Sequence, residues 1–468
     1  MVNQFNRSGS IVVAALCSCL SMPAMAQHAP LPLETLRQLA DVYGLIKSDY
    51  VEPVDDRKLL TEAINGMLAA LDPNAVYLDR TAFKAIRAAK PGQPGAEFGL
   101  DLVMQEGYLK VVAPLDDSAF AKAGVLAGDL IVRINGVPLQ GLSFNDALEK
   151  LRKAGRHKRA RIVLGIARKG VTLSVAIACQ ALHVPGVKTK MIAPGYAWLR
   201  IARFQDATVG EMAQQVKLLY GAHVPLKGIV LDVRNAAGGA VRGAIGVSAL
   251  FLPKDALITS TRGQLPQSNR LIYGRREFYA QQPALDPLAL LNPLLKRVPL
   301  VVLVNTGSAS SAEIVAGALQ DHQRATIVGT ATFGKASVQS VLPLGSDTAV
   351  RLTTALYYTP HGHVIEAHGI VPDLQVDDTA SALAAAPADG TALAEQNRRA
   401  SRPQPQPQPQ PVYGSAADFQ LAQALNHLKG LPVILSKIAL LSKAAESAAA
   451  AKPDAGSEPE SASSADQK

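Results

Sequence analysis

The sequence is poor in cysteine and in aromatic residues. Its 468 residues include three cysteines and one tryptophan, and aromatic residues make up 5% of the chain. Cys17 and Cys19 lie in an N-terminal apolar stretch. If that stretch is removed, only Cys179 remains, and a single thiol excludes an intrachain disulfide. Cys179 follows an alternating, strand-like pattern with no base nearby, which favours a buried, inert thiol over a nucleophile.

The chain also lacks the patterns expected of nucleic-acid, metal or membrane-spanning proteins. The net charge is +9, yet no block of lysine and arginine is interleaved with aromatic residues, so we expect no nucleic-acid partner. His361, His363 and His368 do not have the spacing of zinc ligands, and we expect neither a metal nor another cofactor. No stretch beyond the N-terminus is long and apolar enough to predict a stable membrane span.

Residues 1–26 have the features of a secretory signal. Arg7 supplies positive charge, residues 11–20 form a short apolar core, and residues 24–26 read Ala-Met-Ala, a typical cleavage site. A lipoprotein signal around Cys17 is the weaker alternative, because the cleavage site lies further downstream. We therefore expect export across the inner membrane and a periplasmic location.

The most informative stretch lies at residues 301–340. Residues 301–304 form an apolar run typical of a buried strand, and a helical pattern follows after residues 305–307. Ser308, Ser310 and Ser311 thus lie where a strand passes into a helix. The positive end of the helix dipole favours an anion at such a place.

A lysine with few charged neighbours follows this turn. Lys335 stands among Thr332, Phe333, Gly334 and Ala336, and no acidic residue lies within ten positions of it. A lysine acts as a base only when neutral, and burial favours the neutral form. The pattern is compatible with a nucleophilic serine followed by its base, although spacing alone favours an ordinary surface lysine.

Two motifs connect the stretch to a known family. Residues 307–313 read G-S-A-S-S-A-E and residues 333–339 read F-G-K-A-S-V-Q. They resemble the motifs of the C-terminal processing peptidases, or tail-specific proteases, which are serine peptidases with a Ser/Lys dyad. The resemblance implies that Ser310 is the nucleophile, that Lys335 is its base, and that Gln339 holds the lysine amine. Ala336 replaces a usual glycine and would be strained if this position required a positive φ.

The oxyanion of such a reaction needs hydrogen-bond donors. The backbone amides of Ser311 and Gly239 are the best candidates, and losing one such donor typically costs about 3 kcal/mol of transition-state stabilisation. Gly239 ends a turn, residues 235–239, that follows a strand pattern at 228–234 and precedes a helical pattern at 241–251. Strand, turn and helix repeat at 301–319, which suits the crotonase-like ββα spiral that the resemblance implies for residues 183–379.

Residues 95–182 resemble a PDZ domain. Residues 123–131 read A-G-V-L-A-G-D-L-I, which is similar to the PDZ signature, and Asn135-Gly136 predicts a tight turn. A helix at 143–152, capped by Ser143, should form one wall of a peptide groove. The candidate peptide-binding loop consists of Glu97, Phe98, Gly99 and Leu100. Glu97 stands where the family usually has glycine, and its charge should weaken the binding of a peptide carboxylate.

The two ends of the chain have other characters. Apolar residues at helical spacing predict a helical region at 27–94. The resemblance implies that these helices pair two subunits in a homodimer; packing within one subunit is the alternative. Residues 380–412 predict a Pro/Gln/Ala-rich linker, residues 413–443 a helical segment, and residues 444–468 a disordered tail. We found no chemistry to assign to this C-terminal part.

These observations predict a multidomain α/β protein with a helical N-terminal region, a PDZ domain and a crotonase-like catalytic core. The predicted function is that of a secreted serine endopeptidase that binds protein C-terminal tails. Two alternatives are a catalytically silent PDZ peptide-binding protein and a crotonase-fold enzyme acting on acyl thioesters. The PDZ motif and the signal argue against the thioester enzyme.

Overall fold

The computed structural model describes residues 32–88, 99–155, 161–178, 186–221, 225–281, 286–378 and 412–436. The predicted signal, the predicted disordered tail, Glu97, Phe98 and Cys179 lie outside the described residues, as does the predicted linker up to residue 411. The chain forms two units, residues 1–63 and residues 64–468, and each is described by itself.

The described part of the first unit, residues 32–63, is helical, as predicted. Helix α1 spans Leu33–Asp49, and helix α2, Asp56–Ala69, begins in this unit. Lys47 joins the two helices, since its Nζ lies 2.6 Å from the Asp56 carboxylate. The apolar face of α1, including Leu36 and Val42, remains exposed. Pairing of two subunits through this face stays a prediction.

The PDZ domain in the second unit is an antiparallel sheet with two helices. Its sheet has the order β2-β3-β4-β6-β7, with β5 paired to β4. Alternate residues of its strands are buried, so one face of the sheet packs on the domain core. Asn135 and Gly136 both have positive φ in the predicted turn. Ser143 accepts a hydrogen bond from the Asp146 amide at 3.2 Å, which confirms the predicted helix cap. The elements are β2 Leu100–Gln105, β3 Tyr108–Pro114, α4 Ala119–Lys122, β4 Leu130–Ile134, β5 Val137–Pro138, α5 Phe144–Gly155, β6 Arg161–Arg168 and β7 Val171–Ala178.

The predicted catalytic core is built on a six-stranded sheet of order β17-β14-β13-β10-β9-β8, parallel except for β8. The elements from β8 onward are β8 Val187–Ala193, β9 Tyr196–Ile201, α6 Thr208–Gly221, β10 Gly228–Asp232, α7 Val241–Phe251, β11 Leu257–Arg262, β12 Arg270–Tyr273, α8 Arg276–Tyr279, β13 Leu300–Val304, α9 Ser311–Asp321, β14 Thr326–Gly329, β15 Ser337–Leu344, β16 Thr348–Tyr358, β17 Leu374–Gln375 and α10 Phe419–Leu428. Two 3-10 helices, Pro266–Ser268 and Pro293–Lys296, lie in the connections.

Helices cover both faces of this sheet. Residues of α6, α7 and α9 pack on one face, and α10 packs on the other. Strands β10 and β13 are therefore buried on both sides, which explains why they read as continuous apolar runs rather than alternating ones. Helix α10 lies within the predicted helical segment 413–443, where Asp418 caps its start and Gly430 takes φ of 69° just after its end.

A second sheet completes the core. Strand β16 pairs with β15 on one side and with β1, Val76–Leu78, and β11 on the other. Helix α3, Arg80–Ala88, follows β1, and Phe83 of this helix joins a small apolar cluster with Leu78 and Ala349. Strand β15 begins two residues after Lys335, so this sheet fixes the loop that carries the candidate base. Within the described part of the chain, no helix is long and apolar enough to cross a bilayer.

Candidate active site

The candidate nucleophile occupies a strained turn. Ser310 lies between β13 and α9 with φ of 54° and ψ of −110°, which few residues other than glycine adopt. Such a conformation costs about 1–3 kcal/mol and persists only where the surroundings enforce it. A Cβ at Gly238 would lie 2.8 Å from Ser310 Cβ and 3.3 Å from its Oγ. Glycine at 238 therefore leaves room for the serine hydroxyl.

The candidate oxyanion donors lie beside this serine. Ser311 Oγ donates to the Gly239 carbonyl oxygen at 3.2 Å, which brings the two predicted residues together. Among the hydrogen bonds of the described residues, none uses the backbone amide of Gly239 or Ser311 as donor. A Cβ at Gly239 would lie 1.9 Å from the Phe204 carbonyl oxygen, so only glycine fits there.

Lys335 lies in a loop that is hydrogen-bonded to the nucleophile turn. The Phe333 amide donates to the Ser308 carbonyl oxygen at 3.0 Å. Burial lowers the pKa of Lys335, and Arg351 lowers it further, whereas Asp101 raises it. The burial that a lysine base requires is thus present, but charged groups, including Asp101 and Arg351, lie near the lysine in space. In the described residues, no hydrogen bond joins Lys335 Nζ to Ser310 Oγ.

Glu313 connects the two loops, and the sequence analysis gave it no role. Its Oε2 accepts from the Ser310 amide at 2.8 Å and from the Lys335 amide at 2.9 Å. Its Oε1 accepts from Thr332 Oγ1 at 2.5 Å and from the Gly334 amide at 2.7 Å. Burial raises the pKa of Glu313 to about 7, although the four hydrogen bonds act to lower it. The spacing of Ser310 and Glu313, which is that of a capping box, was the available signal.

Gln339 lies on β15, and no described hydrogen bond joins it to Lys335. Its Nε2 donates to Thr353 Oγ1 at 2.6 Å, and its Oε1 is buried with no partner among the described residues. An acceptor is therefore available, but the structure shows no hydrogen bond from Lys335 to it. The predicted role of Gln339 stays a prediction.

Ala336 does not have the positive φ that would have strained an alanine at this position. It is absent from the described residues with positive φ, and its amide donates to Glu366 at 2.6 Å. Gly334, one position before the lysine, has φ of 83°, and a Cβ there would lie 3.0 Å from backbone atoms of residues 367–369. The glycine that shapes this loop is thus Gly334, so alanine at 336 leaves Lys335 undisturbed.

The PDZ domain contacts the loops around the base. Arg203 Nη2 lies 3.6 Å from Asp101 Oδ1 on β2, and Lys110 Nζ lies 4.9 Å from the centre of the Phe333 ring. Burial raises the pKa of Asp101, while the charges of Arg203 and Lys335 lower it. Of the four predicted peptide-binding residues, Gly99 and Leu100 are described, and both are buried.

The described histidines form other contacts. His322 is exposed and hydrogen-bonds to the Leu257 carbonyl oxygen, while His361 and His363 lie within 4 Å of Asp321. No described contact joins a histidine to Ser310. The serine turn, its neighbouring amides and the nearby PDZ-like domain are the features expected of an α/β serine peptidase of several domains.

Comparison with known proteins agrees with this class and makes it more specific. The family model of peptidase family S41 matches residues 195–376, a PDZ model matches residues 110–164, and a model of the activating protease CtpB N-terminal domain matches residues 18–82. A carboxy-terminal-processing protease of Bartonella bacilliformis is 40% identical over 376 residues, 78% of this chain and 81% of that protein. The chain therefore belongs to the carboxy-terminal processing proteases of peptidase family S41.

Two further similarities support the same family. Carboxy-terminal processing protease CtpB of Bacillus subtilis is 29% identical over 365 residues, 76% of this chain and 71% of that protein. The solved structure of a photosystem II D1 C-terminal processing protease superposes with a TM-score of 0.58 at 28% identity, over 73% of this chain and 86% of that one. The predicted domain classes and peptidase function are confirmed, and the silent PDZ protein has no support.

Proposed function

We propose that the chain is an exported endopeptidase that hydrolyses peptide bonds with a Ser310/Lys335 dyad. The observation that carries the proposal is the Glu313 bridge, in which one carboxylate oxygen accepts from the backbone amides of both residues. The burial that lowers the pKa of Lys335 favours the neutral amine that a base requires. The family membership supports hydrolysis by a serine.

The reaction follows from these positions. Neutral Lys335 takes the Ser310 proton as Oγ bonds to the scissile carbonyl carbon, and the oxyanion accepts from the amides of Gly239 and Ser311. The lysine ammonium then protonates the leaving amine as the C–N bond breaks. Lys335 then deprotonates a water that attacks the acyl carbon, and the lysine ammonium returns the proton to Ser310 Oγ as the ester C–O bond breaks. Gln339 Oε1 would accept a hydrogen bond from the lysine amine during these steps.

The dyad is tested by removing each member. We expect Ser310→Ala and Lys335→Ala each to abolish peptide hydrolysis, and the double variant to lose little more, because the two groups act as a unit. Lys296→Ala is a matched control, since burial also lowers the pKa of Lys296, whose Nζ bonds the Leu252 carbonyl oxygen instead. Hydrolysis retained by Lys335→Ala would show that another group is the base.

The substrate class proposed is protein C-terminal tails held by the PDZ domain. A PDZ groove adds a peptide as an extra strand and holds its carboxylate on loop amides. Strand β2 forms an edge of the PDZ sheet, which leaves one side open for such a strand. Asp101 of this edge strand lies 3.6 Å from Arg203, so a bound tail would lie beside the peptidase core.

Tail recognition is tested with one substrate bearing a free or an amidated C-terminus. We expect faster cleavage of the free form, and a larger difference in Glu97→Gly, because removing a negative charge near the carboxylate strengthens its binding. Ser310→Ala reports background cleavage. Equal rates for both substrate forms in both enzymes would overturn the carboxylate preference and leave the peptidase assignment intact.

Location and assembly complete the proposal. Residues 1–26 support export to the periplasm, where cell fractionation should find the mature chain.

The exposed apolar face of α1 supports a homodimer. Sedimentation of the wild type and of Leu36→Glu tests this, because a charge on that face should favour the monomer.

A further inference from the structure

Two asparagines join the candidate oxyanion loop, residues 235–239, to the nucleophile loop, residues 305–310. Asn235 and Asn305 follow the neighbouring parallel strands β10 and β13. The Asn235 amide donates to Asn305 Oδ1 at 2.8 Å, and Asn305 Nδ2 donates to Asn235 Oδ1 at 2.9 Å. Both side chains are buried. This pair fixes the distance between the two loops.

Further contacts leave the pair little freedom. The Gly307 amide donates to Asn305 Oδ1 at 3.1 Å, and a Cβ at Gly307 would lie 2.5 Å from Asn235 Oδ1. The Ala309 amide donates to the Ala236 carbonyl oxygen at 3.0 Å. A shift of Asn305 would therefore move the nucleophile loop against the oxyanion loop.

The C-terminal segment, residues 412–428, contacts both loops. Tyr413 Oη accepts from Asn305 Nδ2 at 3.2 Å. Its ring lies beneath the guanidinium groups of Arg200 and Arg234, at 4.7 Å and 4.2 Å. Asp418 accepts two hydrogen bonds from Arg234, the residue before Asn235, at 2.8 Å and 2.6 Å. The contact of Tyr413 with Asn305 thus supports the nucleophile loop, and the contact of Asp418 with Arg234 supports the oxyanion loop.

The segment is firmly seated against the sheet. Helix α10 buries Leu421 and Ala424 on the face opposite α9. A Cβ at Gly414 would lie 2.9 Å from the Trp198 ring, so the turn after Tyr413 lies directly on the core. This segment lies outside residues 195–376, which the S41 family model matches. The sequence analysis found no chemistry in it.

We propose that residues 412–418 are a positioning element of the active site. Tyr413 acts through Asn305, and Asp418 acts through Arg234, to keep the serine and the oxyanion donors at their working spacing. Neither residue touches the substrate. Small displacements of reacting groups lower reaction rates steeply. Loss of one hydrogen bond from Tyr413 or Asp418 should therefore have a measurable effect on turnover. The effect on turnover rests on the proposed peptidase mechanism.

Removing one hydroxyl tests the Tyr413 contact. We expect Tyr413→Phe to lower kcat about tenfold while KM stays within about twofold, because loop spacing affects the transition state more than substrate binding. Thr326→Val is the matched control. It removes a hydroxyl that hydrogen-bonds His427 of helix α10, which follows residues 412–418, at 3.1 Å and away from both loops. Equal kcat for Tyr413→Phe and wild type, or an equal loss in Thr326→Val, would overturn the proposal.

A double-mutant cycle separates positioning from general destabilisation. If Tyr413 acts through Asn305, adding Tyr413→Phe to Asn305→Ala should lower kcat no further. A residue that only stabilises the fold would lower it by the same factor in both backgrounds. Independent, multiplicative losses therefore contradict the proposed route.

Hydrogen exchange provides a readout that needs no turnover. In the resting full-length protein, Tyr413→Phe should speed amide exchange in peptides covering 235–241 and 305–311, and leave 161–168 of the PDZ domain unchanged. Thr326→Val should leave the two loops as in wild type. If wild type proves inactive, the peptidase mechanism fails while this comparison still decides the positioning role. Unchanged loop exchange in Tyr413→Phe would overturn that role.

Discussion

At the scale of single residues, the proposed catalysis depends on the effect that controls the protonation of Lys335. Burial is the largest influence and lowers its pKa, because a low dielectric disfavours the ammonium. Arg351 acts in the same direction. Asp101, Glu366 and Glu313 oppose it as negative charges. The net direction is downward, so the lysine is neutral over a wider pH range than a solvated one.

The pH profile of kcat/KM should reflect this shift. We expect activity to rise with an apparent pKa well below about 10.4, the reference for lysine, and then to reach a plateau. Activity is lost at lower pH, because protonated Lys335 cannot accept the Ser310 proton. The measurement is kcat/KM of a peptide substrate from about pH 6 to pH 11, with unfolding monitored at each pH. A rate that climbs to the reference value without a plateau would indicate a solvated lysine.

At the scale of elements, Glu313 joins the start of α9 to the loop before β15. It accepts hydrogen bonds from Ser310, Thr332, Gly334 and Lys335, so a helix terminus and a separate loop share one buried carboxylate. Hydrogen bonds to a charged acceptor contribute about 1.5–3 kcal/mol each. Loss of this acceptor should therefore loosen the base relative to the nucleophile.

Glu313→Gln should lower kcat by more than about tenfold, because a side-chain amide places a donor where the backbone donors need an acceptor. KM should change much less. Glu211→Gln, on α6, is the matched carboxylate-to-amide control. The measurement is kcat and KM together with the thermal unfolding midpoint. Wild-type kcat in Glu313→Gln would show that the bridge is dispensable.

The same residue predicts a pH dependence of stability. Burial raises the folded-state pKa of Glu313 to about 7, above about 4.3 in the unfolded chain. Its contribution to the free energy of unfolding is therefore present below about pH 4.3 and is lost as pH rises to about 7. This part of the pH dependence should be absent in Glu313→Gln.

Local patterns determined what the sequence could predict. Helix α7 begins and ends at the predicted residues, since an apolar run of helical spacing and a preceding glycine turn both lie within a few positions. The motifs likewise singled out Ser310, Lys335 and Gly239, whose catalytic roles stay predictions. Such features depend on neighbours in the sequence.

Contacts across long separations could not be predicted in this way. Tyr413 and Asn305 are 108 positions apart, and no periodicity connects them. The partner of Gln339 is Thr353, across a hairpin whose register shifts near Val338. Glu313 was visible in the motif, but its four donors become apparent only when the loops meet. These residues act through three-dimensional contacts that the chain order does not indicate.

At the scale of the whole molecule, charged contacts hold the PDZ domain against the peptidase core. Asp116 accepts from buried Arg200 at 2.8 Å and 3.0 Å, and Asp117 lies 2.9 Å from Lys188. Asp101, on the edge strand β2, faces Arg203 and raises the pKa of Lys335. The strand proposed to receive a tail thus also carries a charge that affects the base.

Asp101→Asn should change the base through this contact. Removing the negative charge lowers the pKa of Lys335 further, so the rising limb of kcat/KM should move to lower pH, and activity below the plateau should increase. Asp117→Asn is the matched control, because its carboxylate pairs with Lys188 and is largely exposed. The measurement compares pH profiles of the two variants and wild type on a short peptide with an amidated C-terminus, which limits tail binding. An unshifted limb in Asp101→Asn would show that the PDZ strand has no electrostatic influence on Lys335, and a shift in both variants would assign the effect to domain docking in general.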